Sequence, residues 1–533
     1  MGEVVHRIRA SRCGERFEQE PHVSRRARWM LKILFLLGLQ ALFYFADYWF
    51  HCGGKRGVLF VCLTFAVFWG MVRSVYDWWV FLWADHPDDL EPSPKVAELA
   101  DTRMDVLTTA MPGEPFAMFE GTLTAISKLE GLNRAYLLDG GNDPLLASLC
   151  ERLGVIHVDC REISGAKAGK VNFCLTTFSE APFVLVIDPD HIPRPNFLTR
   201  VLPYFRDPEV GFVQVVQAYY NVRDSWVAWA AAEQTFGFYG ATQLGLGGLG
   251  IPTAIGANCT FRRAALDSIG GHAEHLAEDA LTSMRLHAQG WKSVYLPWRG
   301  SSGLVPTDLG AFWKQQLKWA TGMCYLLFQE VPTLLRRFGP RARLHYLMAA
   351  SFYLGGVASA LNLLLPILFL FAKVYAVNMP LMGFLLHIAP YLMVSSGIVA
   401  LAQRWGSHRE ERGFPWRSAL LEKATWHVYL LGAIYGATGR KVPYLPTPKE
   451  GSDKPIPWLV APHWVVILLS FLAIAWIPIS YPRLESGTLL MAVFAAVNAL
   501  MLLPVAWQGI RGWFRVSKRT TKFVPMLAEG AKL

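Results

Sequence analysis

Long apolar runs open and close the chain, and a more polar middle separates them. Met30 to Phe50 and Gly57 to about Trp83 are each long enough to cross a bilayer as a helix. Trp78, Trp79 and Trp83 crowd the end of the second run, as an interfacial aromatic belt would. Apolar runs resume at His345 to Val374, Leu381 to Ala402, Trp458 to Tyr481 and Leu484 to Trp507, which predicts six spans in all. Between the fourth and fifth lie a polar stretch, Gln403 to Lys423, and a half-apolar segment, Ala424 to Thr438. His427, Gly432 and Gly436 interrupt that segment, which predicts an interfacial helix lying on the membrane. A Pro/Gly/Lys-rich loop, 440–457, follows it.

From about Pro92 to Phe338 the pattern changes. Ala135–Asp139, Gly154–Asp159, Phe183–Asp188 and Val210–Val216 are short β-rich runs separated by helix-like stretches. Strands alternating with crossover helices predict an α/β unit with an open, mostly parallel sheet. The expected organisation is a basic N-terminus (1–29), two spans (30–91), the inserted α/β domain (92–338), four spans with interfacial helices (339–510) and a basic tail (511–533).

Composition agrees with membrane spans, since 53% hydrophobic and 17% charged is too apolar for an ordinary soluble protein. The net charge of +10 sits largely on the flanks of the spans. Arg7, Arg9, Arg12, Arg16, Arg25, Arg26 and Arg28 precede the first, and Arg511, Arg515, Lys518, Arg519 and Lys522 follow the last. Such charge is topological and lipid-facing, so no nucleic-acid partner is expected, and both ends and the inserted domain are placed in the cytoplasm at the plasma (inner) membrane. Lys55 and Arg56, in the short outer turn, run against that rule. The apolar run after the arginine-rich start has no small-residue cleavage site behind it, which predicts a retained anchor. The 8 cysteines show no Cys-x-x-Cys spacing and read as reduced packing thiols.

Chemistry concentrates in the inserted domain. In FVLVIDPD an apolar run ends in Asp188 and Asp190, spaced to share one hard divalent cation at a sheet edge. The plainer reading is a strand followed by a polar turn. Asp139 ends another predicted strand and is placed to face the same crevice. Glu278 and Asp279 precede the helix-like run ALTSMRLHAQGW, where a simple N-cap is the plainer reading. Gln315, Gln316, Lys318 and Trp319 lie on an amphipathic stretch, FWKQQLKWATG.

In their order these motifs resemble the processive membrane glycosyltransferases of family 2, the group containing bacterial cellulose synthase and related β-glucan (curdlan-like) synthases. The family's D-G-G strand end, D-x-D, T-E-D and Q-x-x-R-W match LLDGG, DPD, AED and QQLKW here. KAGKVN, RRAALDSIGG and HAQGWKSVYLP extend the likeness over roughly Asp105 to Met323. The resemblance implies a GT-A-like domain that transfers a hexose, with inversion, from a nucleotide sugar such as UDP-glucose to a growing β-glycan. Mg²⁺ or Mn²⁺ would sit at Asp190 with Asp188 beside the diphosphate, and Asp279 would be the catalytic base. Asp139, Lys167, Lys170 and Glu278 are implied on the nucleotide-sugar side, and Gln315, Gln316, Lys318 and Trp319 on the acceptor side. VPYLPTPKEG resembles the family's gating loop, with Thr447 and Lys449 over the nucleotide.

The departures are Leu138 before Asp139, Ala277 for the threonine of T-E-D, and Lys318 for the arginine of Q-x-x-R-W. Lysine keeps the charge but loses the planar fork. The short basic tail is not expected to carry a cyclic-dinucleotide-binding domain, so regulation by that route would need a partner protein. Other expected partners are a polysaccharide acceptor, membrane lipid and envelope proteins. Two alternatives stand beside this reading: a non-processive transferase acting on a lipid-linked or short acceptor, and an inactive transferase-like transporter or scaffold.

Overall fold

A computed structural model describes residues 23–52, 57–89, 95–373, 377, 379–407, 411–440, 454–481 and 483–511. Its centre is a seven-stranded sheet. The strands are β1 (Met104–Ala110), β2 (Leu132–Asp139), β3 (Ile156–Asp159), β4 (Phe183–Val186), β6 (Val210–Val215), β7 (Cys259–Arg262) and β8 (Lys292–Leu296). Two short strands, β5 (Ile192–Pro193) and β9 (Ser301–Ser302), pair separately. The sheet order is β3-β2-β1-β4-β7-β6-β8. All pairs are parallel except those of β7, which runs antiparallel to both β4 and β6.

Every residue of β1, β4 and β6 is buried. Successive side chains go to opposite faces, as the pleat requires. Val106, Ala135, Leu137 and Leu185 join one hydrophobic layer, and Leu107, Tyr136, Leu138 and Val184 join the other. Helices cover both faces, which is why these strands read as continuous apolar runs.

The sequence missed three strands of this sheet. In β1, Asp105, Thr108 and Thr109 mask the apolar pattern, yet all three are buried. Asp105 pays its burial back with bonds: its oxygens accept from Asn133 Nδ2 at 2.7 Å and Ser179 Oγ at 2.6 Å. The four residues of β7 and the mixed polarity of β8 were too short a signal.

Among the described residues, six helices are long and apolar enough to cross a membrane: Arg25–His51, Gly57–Phe81, Pro340–Ala372, Leu381–Trp405, Pro457–Ala475 and Ser486–Ile510. The chain is an integral membrane protein by that measure. The third is longer than the predicted span and is jointed, a helix Pro340–Ala350 and a helix Gly355–Ala372 meeting at a 3₁₀ turn, Phe352–Leu354.

The segment expected to lie on the membrane surface is a helix, Trp426–Thr438, packed on the helix Leu309–Tyr325. Gly432 and Gly436 are the reason for the close approach. A Cβ on Gly436 would lie 2.6 Å from Cys324 Cβ and from the Tyr325 amide, and one on Gly432 would overlap Ala320. The glycines that looked like interruptions form a contact face. The preceding polar stretch likewise contains a helix, Trp416–Ala424.

Candidate active site

Asp188 and Asp190 stand just past the end of β4, in a turn closed by the His191 amide donating to the Asp188 carbonyl at 3.1 Å. Thr122 Oγ1 holds the same turn by donating to the Pro189 carbonyl at 2.7 Å. One ligand atom from each of Asp188, Asp190 and His191 lies within 4.8 Å of the others, a grouping that can hold a metal ion. The carboxylate oxygens suit a hard divalent cation such as Mg²⁺ or Mn²⁺. His191 bonds Asp190 Oδ1 through Nδ1 at 2.9 Å and meets Gln217 Nε2 through its other nitrogen at 2.7 Å. It thereby orients the Asp190 carboxylate. In the sequence His191 has no signal beyond its place in the polar turn after the strand.

Lys167, in the helix Ala166–Thr177, reaches both Asp188 Oδ1 and the Gly256 carbonyl. Burial, the largest single influence, and the charge of Asp190 raise the pKa of Asp188, but the charge and hydrogen bond of Lys167 together with His191 outweigh them, and the carboxyl falls below its usual range. Asp188 thus stays ionised where a cation is wanted.

Asp279 occupies the first turn of the helix Glu278–Ala288. The residue at the N-cap is Ala277, so Asp279 does not cap the helix, although its Oδ1 accepts from the Ala280 amide at 2.8 Å. Burial, then the charge of Glu278, push Asp279 up to about 7 against the Ala280 amide, Lys318 and Lys167. A carboxyl poised near neutral pH suits a general base. Gly256, with φ of 82°, borders it: a Cβ there would stand 3.3 Å from Asp279 Oδ2.

One cavity joins these groups. Lys167, Asp188, Asp190, His191, Glu278 and Asp279 line it, together with Gln315, Gln316, Lys318 and Trp319 from the helix Leu309–Tyr325. Asp308 caps that helix by accepting from the Ala311 amide at 2.9 Å. The sequence reading had not named Thr109, Met111 and Glu114, which line the cavity from the end of β1 and the loop after it. Their only sequence signal was a position after a strand that itself went unseen.

Two of the named residues lie outside the cavity lining. Asp139 is turned inward: it accepts from the Gly141 and Asp143 amides, both at 2.7 Å, and pairs with His157 Nε2 at 3.0 Å. Its carboxylate organises the loop after β2, and its side chain is only 2% exposed. Lys170 is buried and donates to the Ala110 carbonyl at 3.0 Å. Burial lowers its pKa, opposed by Cys160, Asp139 and Glu114. Thr447 and Lys449 lie outside the described residues.

Residues 183–399 match the model of the glycosyl transferase family group 2. The chain carries a family 2 glycosyltransferase domain. This match begins at β4 and takes in every cavity residue from Asp188 to Trp319. With its helices on both faces and its mostly parallel strands, the glycosyltransferase sheet is GT-A-like.

The cellulose synthase catalytic subunit (UDP-forming) of Komagataeibacter sucrofermentans is 29% identical over 245 residues, 44% of this chain and 32% of that protein. The corresponding subunit of Xanthomonas axonopodis pv. citri is 28% identical over 253 residues, 46% of this chain and 35% of its own. The match spans about a third of the length of these relatives. Among solved structures, the mannosyltransferase PcManGT from Pyrobaculum calidifontis, in complex with GDP-Man and Mn²⁺, aligns with 72% of this chain and all of its own at 17% identity and a TM-score of 0.48.

Proposed function

We propose that the protein is a membrane β-glycan synthase. It transfers a hexose from a nucleotide sugar, UDP-glucose first among them, to a growing chain, with inversion, and passes the product across the membrane. The observation that carries this is a single cavity holding the Asp188/Asp190/His191 group, Asp279, and the Gln315–Trp319 face. The first provides for a diphosphate, the second for deprotonating a hydroxyl, and the third for a sugar.

In this reading Asp190 and Asp188 hold Mg²⁺ or Mn²⁺, which when bound neutralises the charge gathering on the leaving nucleoside diphosphate. Lys167 sets the ionisation of Asp188 and adds positive charge beside the diphosphate. Asp279 takes the proton from the acceptor hydroxyl as that oxygen attacks the anomeric carbon from the face opposite the leaving group. Lys318, near Asp279, stabilises its ionised form. Trp319 offers an aromatic face to the acceptor sugar, and Gln315 and Gln316 offer hydrogen bonds.

Thr109, Met111 and Glu114 place the nucleoside at the end of β1, and Lys170 and Asp139 support that wall from behind. The domain, 92–338, faces the cytoplasm, where sugar nucleotides are made. A processive synthase is favoured over a non-processive one by the aromatic-and-amide face of the Gln315–Trp319 turn.

The test is to reconstitute the protein in membranes and supply a panel of sugar nucleotides with Mg²⁺ or Mn²⁺. The expected result is nucleotide release and a β-linked polymer with one donor. A product one or two sugars long would favour a non-processive transferase.

A further inference from the structure

Tyr429 takes no part in the chemistry described so far. It is only 3% exposed, on the helix Trp426–Thr438. Its hydroxyl stands between two helices that line the cavity. Oη donates to Gln316 Oε1 at 3.1 Å and accepts from Gln234 Nε2 at 2.9 Å. Gln234 lies in the helix Trp226–Gly237, which brings Ala231 and Thr235 to the cavity wall.

The tyrosine ring is fixed as well. It meets Tyr353 edge-on, centroids 5.0 Å apart, and Phe352 at 6.1 Å. The helix that carries it has no slack, because Gly432 and Gly436 seat it directly on Ala320 and Cys324.

Gln316 is the residue this arrangement controls. A glutamine amide has one face that accepts and one that donates, and a rotation exchanges them. Oε1 is engaged by Tyr429, Gln316 lines the cavity, and Nε2 is the donor of that amide.

We propose that Tyr429 is a positioning residue for the acceptor: it fixes the Gln316 amide so that Nε2 donates to a hydroxyl or ring oxygen of the acceptor sugar. The inference rests on the reading of this cavity as a glycosyl-transfer site.

Phenylalanine at 429 keeps the ring and removes only the hydroxyl, and the amide is then free to turn. The experiment measures nucleotide release by the full-length protein in membranes, with UDP-glucose or whichever donor of the panel turns over, against added β-1,4-linked glucose tetrasaccharide. Tyr429→Phe should raise the acceptor KM about tenfold, the scale of one lost hydrogen bond, with the donor KM within about twofold. Gln316→Leu should do the same, and Tyr429→Phe/Gln316→Leu should be no worse than Gln316→Leu alone.

An unchanged acceptor KM in Tyr429→Phe, or effects that multiply in the double variant, would overturn the inference while leaving glycosyl transfer standing. If Tyr429→Phe does not fold, an unchanged acceptor KM in Gln316→Leu overturns it equally. A wild-type protein that releases nucleotide from no donor removes the reading beneath it.

Discussion

Burial and the charge of Glu278 push the Asp279 carboxyl up to about 7. As the proposed base it must be ionised, so activity should be lost as pH falls through that value. The profile of kcat/KM against pH should show an acidic limb near pH 7, falling about tenfold per unit below it. Asp279→Asn should abolish the limb by lowering the rate ~10²–10⁴-fold at every pH. The raised value has a second consequence with its own sign. Ionising Asp279 costs the folded state stability above the unfolded carboxyl pKa of about 4, and the cost is complete above pH 7. Asp279→Asn should therefore melt higher than the parent at pH 8, with the difference vanishing towards pH 4.

Asp190 belongs to the same scale. Chelation should stop turnover and added Mn²⁺ restore it, and Asp190→Ala should stay inactive at any metal concentration; activity in chelator would contradict the metal site. These carboxylates stood out in the sequence because they are the second of four motifs in a fixed order; an acidic pair after an apolar run is by itself as readily a turn. His191 and Gly256 were not legible. Their parts depend on what approaches them: Asp190 and Gln217 for the histidine, Lys167 and Asp279 for the glycine. Asp139 shows the other side of the same pattern, since its strand-end carboxylate accepts from the amides of its own loop.

At the level of elements, the sheet was legible where strands are wholly apolar and hidden where they carry a polar residue with a buried partner, as β1 does with Asp105. The antiparallel insertion of β7 could not be read from pattern at all, because register and direction are set by pairing with β4 and β6. The Trp426–Thr438 helix shows a similar limit. Its glycines signal a break or a close contact, and only the partner, Ala320 and Cys324, decides which. Gly436→Val places a branched side chain against Cys324 and the Tyr325 amide. It should cost about 1–3 kcal/mol by overpacking. It should also reduce polymer synthesis more than Gly397→Ala, whose helical glycine meets nothing within 4 Å. Thermal melting in detergent and polymer yield measure the two effects.

Across the whole molecule, catalytic domain and apolar helices share one core. The largest hydrophobic cluster contains Leu31 and Trp78 from the first two apolar helices and also Val227, Tyr295 and Phe312 from the domain. A buried chain of hydrogen bonds adds to it: Tyr76 Oη meets His345 Nδ1 at 2.7 Å, and His345 Nε2 meets Thr253 Oγ1 at 2.8 Å. Thr253 begins the loop that carries Ile255 and Gly256 to the cavity. Residues 92–338 expressed alone should therefore aggregate and release no nucleotide, because folding would expose that shared face; a soluble, active fragment would refute the shared core.

The order of the motifs and the bracketing apolar runs were readable from the sequence. The union of the two regions was not, because it is made by long-range packing between segments far apart in the chain. The central claim, metal-dependent polymer synthesis with Asp279 as base, is tested most directly in one assay. Parent and Asp279→Asn proteins, reconstituted in membranes, receive UDP-glucose with Mn²⁺, and released UDP and β-linked polymer are measured together. The account predicts both products from the parent and neither from the variant. Polymer from Asp279→Asn, or no nucleotide release by the parent from UDP-glucose or any other donor, would contradict it.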